Sequence, residues 1–132
     1  MSEVRAGLRY TEEHEWVALQ SDRIVRVGIT DHAQCELGDI VYVELPSIGA
    51  EVEALQPMGT IESVKTVSDL FSPVSGIIVQ VNEALASMPE AVNEQPYEAG
   101  WLVDIQVRND AQVAISGLLT AEQYEKRINV GP

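Results

Sequence analysis

Gly59-Thr60-Ile61-Glu62-Ser63-Val64-Lys65-Thr66-Val67-Ser68-Asp69 leads from an apolar segment into a polar stretch, and a second β-type segment opens at Leu70-Phe71. An apolar run, a short polar connection and a second run predict a hairpin with Lys65 at or near its exposed tip. Outward from this stretch the dominant period is two. Val25, Val27 and Ile29 alternate with Arg26, Gly28 and Thr30, and Val103, Ile105 and Val107 alternate with Asp104, Gln106 and Arg108. Ile77, Val79 and Val81 alternate with Ile78, Gln80 and Asn82, and shorter runs cover residues 16–19, 40–45 and 58–64. Alternating β-branched residues punctuated by Gly and Pro predict half-buried strands, and many such strands predict a mainly β sandwich or barrel-like fold. A faint echo links Gly38-Asp39-Ile40-Val41-Tyr42-Val43 with Gly76-Ile77-Ile78-Val79-Gln80-Val81, each followed by a Gly-led strand, at Gly59 and at Gly100.

Helical segments are few. Asp31 is expected to cap a short helix that runs through Cys35 and ends at Leu37-Gly38, and Asn82 another through Ala86. Thr120 with Gln123 makes a capping-box signature, followed by Ala121, Tyr124 and Ile128 at helical spacing and by Lys126 and Arg127 in the last turn. Residues 87–100, with Pro89, Pro96 and Gly100, are expected to be an ordered loop with short helical pieces.

The 132 residues suit one domain, residues 1–132, able to bury a core without staples. Twenty-one acidic residues against eight basic ones leave a formal charge of −13, which a phosphate backbone or an anionic membrane would repel. Nucleic-acid and membrane partners are therefore not expected. One cysteine excludes an intramolecular disulfide and fits a reducing compartment. The first seven residues lack an apolar leader or a basic transit character, so a soluble, cytoplasmic protein is expected.

Only two of the basic residues are lysines, Lys65 and Lys126, and the helix-end position explains Lys126. For Lys65 two readings stand: a solvated surface charge, or an attachment point whose ε-amine forms an amide with a carboxylic cofactor. His32 and Cys35, with His14 and Glu15 upstream, could be read as metal ligands, but there is no paired Cys-x-x-Cys, and no metal is expected. A Cys-His nucleophile lacks an activating third group. Cys35 is expected to be small and buried, and Trp16 and Trp101 to be core or cleft-wall aromatics.

Glu62-Ser63-Val64-Lys65, Ser68-Asp69 and Ser72-Pro73-Val74-Ser75-Gly76 together resemble the lipoylation hairpin of the glycine cleavage system H proteins. The resemblance continues in one register through Tyr10, His14-Glu15-Trp16, Val27-Gly28-Ile29-Thr30-Asp31-His32-Ala33-Gln34, Leu37-Gly38-Asp39 and Val43-Glu44-Leu45-Pro46. It goes on through Val81-Asn82, Val92-Asn93, Pro96-Tyr97 and Gly100-Trp101, so it spans nearly the whole chain from Leu8. The short pieces are weakly specific one by one; their order and spacing together are specific. Ile61 stands where valine is common in the family, and Cys35 is local variation.

The resemblance implies two small antiparallel sheets with quasi-two-fold symmetry, in a lipoyl-domain-like sandwich or flattened barrel with short helices and a C-terminal helix. It implies lipoate in amide linkage to Lys65, with Glu62, Ser63 and Val64 as the local recognition sequence. It implies a monomeric carrier rather than an enzyme. Such a carrier takes the aminomethyl group of glycine from P-protein to T-protein and is reoxidised by L-protein. A lipoate ligase or a lipoyl/octanoyl transferase would modify it. Glu15 and Asp69 match the family's amine-holding acidic positions, with His14 and His32 packed near the same cleft. An H-like relay that donates lipoate to other enzymes is the alternative. Lipoyl domains of 2-oxo acid dehydrogenases are shorter and usually carry Asp-Lys at the turn. Biotin carriers flank the lysine with methionines, where this chain has Val64 and Thr66. A small hydrolase lacks its constellation here.

Overall fold

The computed structural model describes residues 3–129, so the one-domain and N-terminal expectations reach, at residues 1–2 and 130–132, outside the described residues. Within them the strands are β1 (Arg9–Tyr10), β2 (Glu15–Leu19), β3 (Ile24–Ile29), β4 (Ile40–Glu44) and β5 (Glu51–Val52). β6 (Pro57–Ser63), β7 (Val67–Phe71), β8 (Gly76–Val81), β9 (Val103–Gln106) and β10 (Leu119–Thr120) follow. They form two antiparallel sheets, a seven-stranded one in the order β10-β1-β2-β3-β9-β8-β5 and a three-stranded one in the order β4-β6-β7. Neither sheet closes into a barrel, so of the two expected architectures the open, two-sheet one is present.

The echo in the sequence has a structural cause. β4 meets β6 with a register break between Ile40 and Tyr42, and β8 meets β9 with one between Ile78 and Gln80. These are equivalent positions of the two repeated hexapeptides. Each unit is thus a bulged strand laid against a following strand, and the extra residue, Val41 or Val79, bends it.

Apolar side chains of both sheets meet in one core, among them Val25, Val27, Ile29, Ile40, Val43, Ile61, Leu70, Ile78, Val103 and Ile105. The expected half-burial fails at the centre of the large sheet, whose second face is also covered. Tyr10, Trp16, Tyr97 and Tyr124 form a second buried cluster. Trp16 lies across its cross-strand partner Gly28, where a β-carbon would stand 2.5 Å from the indole ring. Asp104, on the polar side of its alternation, is buried as well. It accepts bonds of 2.9 and 3.1 Å from its cross-strand partner Arg26, whose guanidinium stacks 3.9 Å above Trp101. A two-pronged pair stacked on an aromatic ring is how a charge is kept on a covered face.

The helices are α1 (Asp31–Leu37), α2 (Ala91–Glu94), α3 (Ala111–Ile115) and α4 (Ala121–Ile128), with a 3₁₀ turn at Glu83–Ala86. α1 is capped by Thr30, not Asp31: the Thr30 hydroxyl accepts from Ala33 N, and Asp31 lies in the first turn. Asn82 stands at the cap position of the 3₁₀ turn but makes no cap bond, donating its amide instead to the carbonyls of Ala99 and Trp101. Cys35 is exposed rather than buried. α2 is one of the helical pieces expected within residues 87–100, and α3 was not expected. The Thr120–Gln123 capping box is present in both directions.

Candidate functional site

The β6–β7 hairpin places Lys65 at its tip. The Ser63 N–H donates to the Thr66 carbonyl at 2.8 Å and closes the turn. The Ser63 hydroxyl, largely buried, accepts from Lys65 N at 3.1 Å and Thr66 N at 3.2 Å, satisfying two amides that the tip would leave to water. From outside the hairpin, the Asp39 carbonyl accepts from Val64 N at 3.0 Å. The tip is therefore tied to the segment that ends α1. Gly38 there has φ +82°, and a β-carbon on it would stand 3.0 Å from Lys65 Cε and 3.8 Å from Nζ. The aliphatic stem of Lys65 passes over this bare backbone while the residue stays exposed. Among the described residues no carboxylate forms an ion pair with Lys65, although Glu62 and Asp69 are exposed on the same hairpin.

Around the tip the surface is apolar in places. Val64 and Val67 are 66% and 62% exposed, and Tyr42, joined to Val67 through Glu62 in the strand register, is 52% exposed. Asp69 lies opposite Thr60 on β6. Leu70, where the second β-type segment was read to open, is core.

Glu15 is no surface carboxylate; only 2% of it is exposed. One oxygen accepts from the Thr11 hydroxyl at 2.9 Å and the other from Phe71 N at 3.1 Å, so it joins the start of β2 to the end of β7. Burial pushes its carboxyl up to about 7, against these two bonds, which favour the charged form. It thus reaches the same strand as Asp69 from the interior.

His14 and His32 are brought together, with ring centroids 4.8 Å apart. His14 has φ +68° and is held by its main chain: its N–H donates to the Thr11 carbonyl and its carbonyl accepts from Thr30 N. Its Nδ1 lies 2.8 Å from the Tyr124 hydroxyl, which lies 2.7 Å from the Thr30 hydroxyl. Burial, then the nearby His32, lower its pKa below the ordinary value. His32 is grouped with Glu36, one turn along α1, and not with Cys35. Gly38, Thr11, Tyr124 and Glu36 were missed by sequence reasoning. Only Gly38 carried a signal, its place just past a helix end.

The glycine cleavage H-protein family model matches residues 8–130. A glycine cleavage system H protein of Geobacillus kaustophilus is 57% identical over 124 residues, covering 94% of this chain and 95% of the relative. One from Halalkalibacterium halodurans is 53% identical over 129 residues, covering 98% of each. The crystal structure of a glycine cleavage system H protein from Mycobacterium marinum superposes with a TM-score of 0.86 at 42% identity, covering 96% of this chain and all of that one. The two-sheet fold agrees with these findings, and the chain belongs to the glycine cleavage H-protein family.

Proposed function

We propose that the protein is the lipoyl carrier of a glycine cleavage system, with lipoate in amide linkage to Lys65 Nζ. The observation that carries this reading is a hairpin tip, fastened on three sides, with an exposed lysine that pairs with no carboxylate among the described residues. The residues present fit the group. An unpaired primary amine is a competent acyl acceptor, and the stem over Gly38 leaves Nζ accessible to a modifying enzyme. Val64 and Val67 offer apolar surface to an alkyl chain. When bound, lipoate supplies a dithiolane that takes up the aminomethyl group left by glycine decarboxylation.

The chain's own residues do the rest. The Ser63 and Asp39 bonds hold the base of the arm, so the lysine stem and the acyl chain beyond it do the swinging. Asp69, with Glu15 behind it and His14 and His32 nearby, holds the amine of the cargo in its charged form. A charged amine has no lone pair with which to expel a thiolate, and a neighbouring carboxylate stabilises that charge. A cation placed near Glu15 in turn favours its ionised form. P-protein, T-protein and L-protein are the partners, and the chain itself catalyses no step. One cysteine and bacterial relatives suit a cytoplasmic carrier.

The test is intact mass before and after incubation with lipoate, ATP and a lipoate ligase, then with P-protein and glycine. One lipoyl increment that maps to Lys65, is absent in Lys65→Arg, and gains an aminomethyl increment with glycine supports the reading. No lipoyl increment on folded protein overturns it. A lipoyl increment without aminomethyl loading leaves the relay function instead.

A further inference from the structure

His14, His32 and Glu36 lie together at the junction of β2, β3 and α1, and one ligand atom from each falls within 4.8 Å of the other two. The geometry points to a binding site for a divalent transition metal, zinc by ligand preference, formed by two imidazoles and one carboxylate. It shares His14 and His32 with the carrier reading but does not rest on it, and its test needs no lipoate.

Four observations carry it. First, the ligand set suits a borderline ion: two imidazoles and one carboxylate are what zinc takes when a coordination position is left open to water. Second, the spacing is nearly right. Ligands about 2.0–2.1 Å from a tetrahedral ion stand about 3.3 Å from one another. His32 Nε2 and Glu36 Oε1, one helical turn apart on α1, are already 3.5 Å apart. Glu36 is exposed, so its side chain can swing the remaining distance without disturbing the core.

Third, His14 has an outer hydrogen-bond partner, the Tyr124 hydroxyl, that fixes its ring as outer partners fix metal-bound histidines. In the tautomer with the proton on Nδ1, His14 donates to the Tyr124 hydroxyl, Tyr124 donates on to Thr30, and His14 Nε2 carries the free lone pair. Tyr124 is itself fixed, fully buried and stacked on Tyr10 with ring centroids 4.6 Å apart. Fourth, His14 is held in the left-handed backbone region, uncommon for a residue other than glycine, by main-chain bonds to Thr11 and Thr30. Its ring is thereby set against His32 on the neighbouring helix. Cys35 is not a member of the cluster; it is exposed on α1, and its sulfur accepts from Gln34.

The test uses the full chain without lipoate, freed of metal with a chelator. Co²⁺ is titrated and read by its visible ligand-field bands, and Zn²⁺ affinity is read by competition with a chromophoric chelator. One saturable equivalent is expected, with tetrahedral Co²⁺ bands. His32→Gln and His14→Asn should each lower affinity at least tenfold. Asparagine, like histidine, is among the residues that adopt a positive φ most readily after glycine, so that variant is expected to fold, which circular dichroism checks. Tyr124→Phe, which keeps the ring and removes the outer partner, should lower affinity about tenfold or more. Cys35→Ser should leave it unchanged. No saturable binding by the folded chain would overturn the proposal. So would affinity unchanged in folded His32→Gln and His14→Asn, or affinity lost in Cys35→Ser.

Discussion

At the scale of single residues, Glu15 has the clearest consequence for pH. Its carboxyl is raised to about 7 in the folded chain, whereas in the unfolded chain it titrates near the ordinary 4.5. Between these values the folded state holds the extra proton, so its contribution to stability is fully present below about pH 4.5 and is lost as pH rises through 7. The span corresponds to about 3 kcal/mol. Urea denaturation of wild type and Glu15→Gln from pH 5 to pH 8 should show wild type losing stability relative to the variant by an amount of this order. Parallel profiles would mean that Glu15 is ionised throughout. Gly38 carries a second residue-scale prediction. Gly38→Ala puts a β-carbon at φ +82° and ψ −159°, a region nearly confined to glycine, and against Lys65 Cε, so a loss of about 1–3 kcal/mol is expected from the backbone alone. The displaced stem should also slow lipoylation measured under conditions where both proteins are folded.

Among the elements, the β6–β7 hairpin depends on one hydroxyl. Ser63 Oγ serves the amides of both Lys65 and Thr66, so Ser63→Ala leaves two donors to find water at a partly buried turn. A loss of about 1–2 kcal/mol is expected. Amide exchange at residues 64–66 should accelerate more than in β8 and β9. Uniform acceleration would point to global destabilisation instead. α4 gives a comparable case: Thr120→Ala removes one half of the capping box and should cost about 1 kcal/mol in urea denaturation. The main strands, the hairpin and α4 were legible in the sequence because period-two alternation and capping chemistry are local. What was not legible came from tertiary contacts. Thr30 rather than Asp31 caps α1, because Asp31 accepts instead from Gln34 and from Glu3 N. Asn82 is drawn away from its helix by two distant carbonyls. Asp104 reads as a solvent residue until Arg26 and Trp101 are placed over it. Lys65 stood out through lysine scarcity and turn chemistry, while the burial of Glu15 and the His14–His32–Glu36 grouping needed β2, β7 and α1 in place.

Across the whole molecule, the charge of −13 acts on stability as well as on partner choice. Two unit charges 10 Å apart in water interact by about 0.4 kcal/mol, and 21 acidic residues against eight basic ones leave a net repulsion over the molecule. Against this repulsion stand a few ion pairs. Arg5 meets Glu3 and Glu98, Arg127 meets Glu12, and these exposed pairs contribute little. Arg26–Asp104 is covered, so salt screens it less. Raising NaCl from about 0.02 to 0.5 M shortens the Debye length to well below 10 Å, which suppresses the long-range repulsion first. The urea midpoint at pH 8 should therefore rise with salt, by on the order of 1 kcal/mol in stability. Arg26→Ala should be less stable than wild type at every salt concentration yet keep the same upward slope, because the pair it loses is not the screened one. A midpoint that falls with salt would mean that the surface ion pairs outweigh the repulsion, and that the acidity is balanced locally rather than tolerated by the fold.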